Sequence, residues 1–204
     1  MNPVLAFARS RNLPRAAVTS LVLALATVLF ASGNRVEIPD FRYLVDYAVP
    51  VAAVVPVIHA VVLGTTFHSP MDDLEHTAAQ PMAVLRRLHL VALTLLATVL
   101  SALPLVTGLP ADTAGAAARN AIGYLALASI SARFFGSGLA WLLPLVIFGP
   151  TLLFGVAPDN TPEWWAWSIQ QPSSPAALTI AAMLWLVAVL LPDAPPRADD
   201  RAEA

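Results

Sequence analysis

Cysteine and lysine are both absent from this 204-residue chain. Without cysteine there is no disulfide framework, no thiol nucleophile and no thiolate metal ligand, and the redox compartment leaves no mark. Without lysine there is no Walker A lysine and no Schiff base, so the chain is not by itself a P-loop ATPase. Charge is scarce too. Only 12% of residues are charged while 58% are hydrophobic, against roughly 25% charged in an ordinary soluble domain. That is too little charge to wet the surface of a water-soluble globule. A net charge of −2 gives no basic footprint, so no nucleic-acid partner is expected.

What is present is apolar and comes in runs. Mean hydropathy is +0.72. A membrane-crossing helix needs about 20 largely apolar residues, with a working range of roughly 17–25. Six segments lie within or one residue short of that range: 16–32, 44–63, 88–106, 120–135, 139–156 and 176–191. The expected fold is therefore an all-α integral membrane protein of about six transmembrane helices. Residues 1–192 form the transmembrane domain, and the Pro- and Asp-rich 193–204 form a disordered cytoplasmic tail. The segment 120–135 is the weakest, being short and holding Ser129 and Ser131. The first segment follows Arg9, Arg11 and Arg15 and ends near Ala31-Ser32-Gly33, which resembles a cleavable signal. Five further segments favour a retained anchor.

Orientation follows from arginine, because cytoplasmic loops are enriched in basic residues. With the N-terminus inside, Arg9, Arg11, Arg15, Arg86, Arg87, Arg133, Arg197 and Arg201 fall inside, and Arg35, Arg42 and Arg119 fall outside. Both termini are thus expected in the cytoplasm. The all-arginine basic set, with abundant Ala and Pro, fits a GC-rich bacterial genome and a multi-pass protein of the bacterial cell membrane, in contact with membrane lipid.

The largest inner loop, about 64–87, contains Ser69-Pro70-Met71-Asp72. Serine caps a helix, proline suits its first turn, and Asp72, Asp73 and Glu75 favour the positive end of its dipole. Pro81 ends it. The spacing predicts a short amphipathic helix near 70–80, then an elbow, then Arg86-Arg87 at the mouth of the third span. This is either a capped connector whose arginine pair fixes topology or a docking helix for a cytoplasmic partner. Between the last two spans, Trp164, Trp165 and Trp167 fall within four residues. Tryptophan prefers the membrane–water boundary, so these are expected at the outer interface, as anchors or as part of a gate.

Ionisable residues inside spans are costly and mark candidate function. Asp46 and His59 share the second span, but thirteen residues of helix separate them by about 20 Å. Asp46 belongs near the outer boundary. His59 lies deeper and is either bonded to a neighbouring helix or a lining residue of a pathway. All four histidines, His59, His68, His76 and His89, lie in one stretch, yet no pair has the i, i+4 spacing of a helical zinc motif. No metal and no cofactor are expected. Gly136-Ser137-Gly138 lacks the spacing of a nucleophile elbow, no histidine follows it, and a tight turn explains its glycines. No enzymatic activity is expected.

This layout resembles the membrane subunit of ABC-2-type transporters. Members have six spans, cytoplasmic ends, a short coupling helix between the second and third spans, and a short outer element before the last. Here 69–87 and 162–171 occupy those two places. Met71-Asp72-Asp73-Leu74-Glu75-His76-Thr77-Ala78-Ala79-Gln80-Pro81, followed by Leu85-Arg86-Arg87, is similar to loops of small actinobacterial proteins of this type. The resemblance implies a permease subunit of an ABC-type exporter. Asp72, Asp73, Glu75, Arg86 and Arg87 would contact a separate cytoplasmic ATPase, and two copies, or this chain with a second permease, would form the path. The alternative is a non-transporting membrane scaffold or assembly subunit.

Overall fold

A left-handed residue sets the first corner. Asn12, at φ 53°, adopts the one strained conformation that asparagine tolerates well, and it turns α1 (Pro3–Ser10) into α2 (Leu13–Ala26). The computed structural model describes residues 3–31, 35–40, 45–68, 82–103, 111–159 and 161–192. Helix α2 loosens into a π turn over Thr27–Ala31. An antiparallel hairpin follows, β1 (Arg35–Asp40) with β2 (Val45–Pro50), in the register Arg35↔Pro50 to Asp40↔Val45. Then come α3 (Val51–Gly64), α4 (Met82–Ala102), α5 (Ala111–Phe135), α6 (Leu142–Phe154) and α7 (Pro175–Leu190).

The architecture is helical, as the sequence predicts, but two elements differ from expectation. The second segment is not helical from residue 44. Val45, Tyr47 and Val49 alternate in a strand, and Pro50, which cannot sit inside a helix without breaking its ladder, holds the start of α3 back to Val51. Asp46 accordingly belongs to the hairpin and not to a helical span. The segment 120–135 belongs to a longer helix than expected, although that helix is not among the stretches long and apolar enough to cross a membrane. It is the second half of α5, the longest helix described, with 25 residues. The expected inner-loop helix at 70–80 and the tail 193–204 lie outside the described residues.

Helix α5 is the axis of the bundle. It packs against α3, α4, α6 and α7, while α2 lies against α3 and α4. Small side chains let the backbones approach. A Cβ placed on Gly64 of α3 would meet the Cβ of Ala128 on α5 at 3.4 Å and that of Ala140 at 3.5 Å. Residues 123–131 of α5 are buried without a break, and Tyr124, Leu125, Leu63, Leu90 and Leu93 fill the centre.

The outside of the bundle is apolar. Leu29 of the π turn, Leu95 of α4, Val146 of α6 and Leu190 of α7 are all more than half exposed. Two helical stretches, Met82–Ala102 and Ser137–Phe154, are long and apolar enough to cross a membrane, and three shorter apolar ones, Leu13–Leu29, Val54–Phe67 and Pro175–Leu190, flank them.

Candidate functional site

Polar side chains collect at the two ends of α5 and, in one place, between them. At the first end stands Arg119, buried to 3% exposure. A buried guanidinium must find acceptors. Its Nη1 donates to the Gln171 carbonyl at 3.0 Å, its Nη2 to the Gln170 carbonyl at 3.2 Å, and its Nε to Asn120 Oδ1 at 3.2 Å. Asn120 Nδ2 donates to the Ser168 carbonyl at 2.7 Å. The two neighbours thus grip three carbonyls of one loop.

That loop is built to be gripped. Between α6 and α7 the chain folds on itself. Val156 bridges Pro162, the Glu163 amide donates to the Gly155 carbonyl at 2.8 Å, and Gln170 Nε2 donates to the Glu163 carbonyl at 2.7 Å. At the exposed tip, Asp159 accepts from the Thr161 hydroxyl at 2.6 Å and its amide at 3.1 Å. These bonds hold the carboxyl below its usual range, the hydroxyl contributing most. A 3-10 turn, Trp167–Ile169, then drives Trp167 inward. Its ring lies 5.0 Å from that of Tyr124, which meets Phe148 edge-on at 5.9 Å. Gly123 makes the space: a Cβ there would sit 2.3 Å from Trp167 Cη2.

The three tryptophans of the sequence motif therefore do not share one environment. Trp164 is 81% exposed, Trp165 is half-buried and Trp167 is 4% exposed. An interfacial position suits the first two, whereas Trp167 is a core residue.

At the opposite end Arg11 is also buried, stacked over the Phe7 ring at 4.5 Å and donating through Nη1 to the Phe67 carbonyl at 2.8 Å. Beside it, Thr66 donates to the Leu63 carbonyl at 2.6 Å and faces His89 Nε2 at 3.0 Å. The single hydroxyl proton is committed to Leu63, so Thr66 accepts from His89, and the proton of that imidazole is on Nε2. His68 Nδ1 lies 3.0 Å from the Ser137 hydroxyl, so a histidine does reach the Gly136-Ser137-Gly138 turn, from an earlier part of the chain. Among the described residues no third group completes a triad around that pair. Gly136 stands at φ 99°, which explains a glycine in this turn. Arg133, in the last turn of α5, donates to the Leu191 carbonyl at 2.5 Å.

Of the residues singled out in sequence, Asp72, Asp73 and Glu75 lie outside the described residues. Arg86 and Arg87 lie within the first two turns of α4, half-buried and exposed respectively. His59, on α3, is 0% exposed, and neither ring nitrogen has a hydrogen-bond partner among the described residues. Sequence reasoning missed Arg119, Arg11 and Thr66. Arg119 and Arg11 count there only as topology charges, although an Arg-Asn pair leading into an apolar helix is itself a signal of a buried polar site. Compared with known protein families, curated proteins and solved structures, the chain matches none.

Proposed function

We propose that this chain is a multi-pass membrane protein and acts as the membrane-spanning subunit of an ABC-type exporter, worked by a separate cytoplasmic ATPase. The observation that carries the membrane part is the inverted distribution of its surfaces. In the two longest apolar stretches only 33% and 17% of the hydropathic window is buried. The core helix of a soluble protein shows the reverse, and exposed apolar surface on this scale needs a covering phase. Inside, arginines bond to backbone carbonyls, as polar groups must where no water competes.

The orientation can be read directly, because the native chain has no cysteine. In intact cells, an Asp159→Cys variant is expected to react with an impermeant thiol reagent from outside, and a Thr77→Cys variant only after lysis. Reaction of the second variant in intact cells reverses the topology.

Support for the transport part comes from the order of elements: a short helix before the first crossing, an acidic inner loop, and a folded loop before the last helix. The test is co-purification with an ATPase. Glu75 lies past the first turn of the expected helix, where the dipole benefit has faded, so docking accounts for it better than capping does. Glu75→Ala is expected to reduce ATPase recovery about tenfold at equal membrane levels, and Asp72→Ala much less. A group left unpaired in such a dock costs about 2–5 kcal/mol. If no ATPase accompanies the wild type, the scaffold reading replaces transport. One observation favours that second reading: residues 123–131 of α5 are buried without a break, so the middle of this helix lines no open path within the subunit. Transport then needs a path between subunits or a seam that opens.

A further inference from the structure

His59 is fully buried within the bundle with both ring nitrogens unpartnered among the described residues. A buried polar group left without a partner costs about 1–3 kcal/mol. Helical geometry says where it looks. Thr66 lies seven residues, about two turns, further along, in the 3-10 turn Thr65–Phe67 that continues α3, and falls on nearly the same side of the helix axis; it reaches His89 of α4. The adjoining Phe67 carbonyl receives Arg11, at the foot of α2. This side of α3 therefore faces the seam with α2 and α4.

A second unpartnered group occupies the same level. Arg11 and Phe67 fix the register of α2 against α3, which run antiparallel. Ser20 is nine residues up from Arg11 and His59 eight residues back from Phe67, so both stand roughly 13 Å above that bond. Ser20 is 0% exposed, and its hydroxyl has no partner among the described residues. It lies between Ala16 and Ala24, the small buried face by which α2 meets the bundle. Below the pair, toward the Arg11 end, the polar groups Thr66 and His89 lie on the way to the exposed His68.

We propose that the seam between α2, α3 and α4 opens to water from the Arg11 end, and that His59 and Ser20 are the station that holds water within the bundle. In the closed packing neither group has a hydrogen-bond partner among the described residues. In the open packing each gains the hydrogen bonds it lacks, and the small face of α2 separates from α3 without leaving a deep void. The inference rests on the membrane reading but not on the ATPase.

The test uses the full chain in membranes and 2-aminoethyl methanethiosulfonate, a small water-soluble reagent that needs a hydrated thiolate. Ser20→Cys and His59→Cys are compared with Ala60→Cys and Ala128→Cys, which are equally buried. The first two are expected to react at least tenfold faster than the controls. In a His59→Leu background, labelling of Ser20→Cys is expected to fall to the control rate. Ser20→Cys changes one atom, so its result stands even if His59→Cys does not fold. Equal rates at all four positions, or unchanged Ser20→Cys labelling beside His59→Leu, overturn the station. Absence of the chain from the membrane fraction overturns instead the membrane reading.

Discussion

Arg119→Ala is expected to destabilise the protein by about 2–4 kcal/mol, seen as a lower midpoint of thermal unfolding in detergent. The guanidinium has three acceptors, and hydrogen bonds to a charged group contribute about 1.5–3 kcal/mol each when isolated. They share one side chain and one loop, so they do not add in full. The informative comparison is Arg119→Lys. Lysine keeps the charge but lacks the planar fork; its three donors share a single nitrogen, which cannot stand within reach of Gln170, Gln171 and Asn120 as three separate guanidinium nitrogens do. It is expected to recover less than half of the loss. Wild-type stability in Arg119→Lys would show that charge alone holds the loop.

The second large effect is expected at Gly123. A methyl group there overlaps the Trp167 indole, with three ring carbons at 2.3, 2.8 and 3.2 Å. The ring cannot retreat, because Tyr124 lies beside it. Gly123→Ala is expected to force Trp167 out and to cost much of what Trp167→Ala costs, about 3–5 kcal/mol for a buried tryptophan. The two substitutions are coupled. In a Trp167→Leu background, Gly123→Ala is expected to cost under 1 kcal/mol, because the clash has been removed and alanine is the better helix former. Additive losses in that double-mutant cycle would mean that the glycine serves some other purpose. Trp164→Phe, at an exposed position, is the control and leaves the midpoint unchanged.

The contrast between Trp164 and Trp167 shows where sequence reading runs out. Both stand in one motif, and boundary preference describes both. Which one turns inward depends on Gly123, more than forty residues away, and no local pattern records that. Helix α5 gives the same lesson differently. Its alanines, glycine and serines lower its hydropathy and make it look marginal as a span. Those same small residues let four helices crowd around it, since a thin helix fits the centre best. Hydropathy reports what faces the solvent phase, and the middle of α5, residues 123–131, faces none. By contrast, the other apolar segments were legible within a few residues, because their outward faces are continuous. The delay of α3 to Val51 went unread, because hydropathy treats the apolar run 44–63 as one segment, although alternating Val45, Tyr47 and Val49 ending at Pro50 carry a strand signal. The polar site at Arg119 was legible only as a charge. Its role required the loop carbonyls, which a sequence does not display.

The two arginines of α5 also impose an order on synthesis. Arg119 bonds to carbonyls just ahead of α7, and Arg133 to the carbonyl just after it. Both acceptors belong to the last part of the described chain to leave the ribosome. On the membrane reading, while α5 is being inserted its most buried charge still lacks its loop carbonyls and must be sheltered by the insertion machinery, by a local thinning of the bilayer, or by remaining near the surface. The final helix then docks as a keystone, satisfying both ends of α5 in one step. A nascent chain interrupted before Gln170 lacks the carbonyls that both arginines use in the finished fold, a chemical mark by which quality control can tell an unfinished bundle from a completed one.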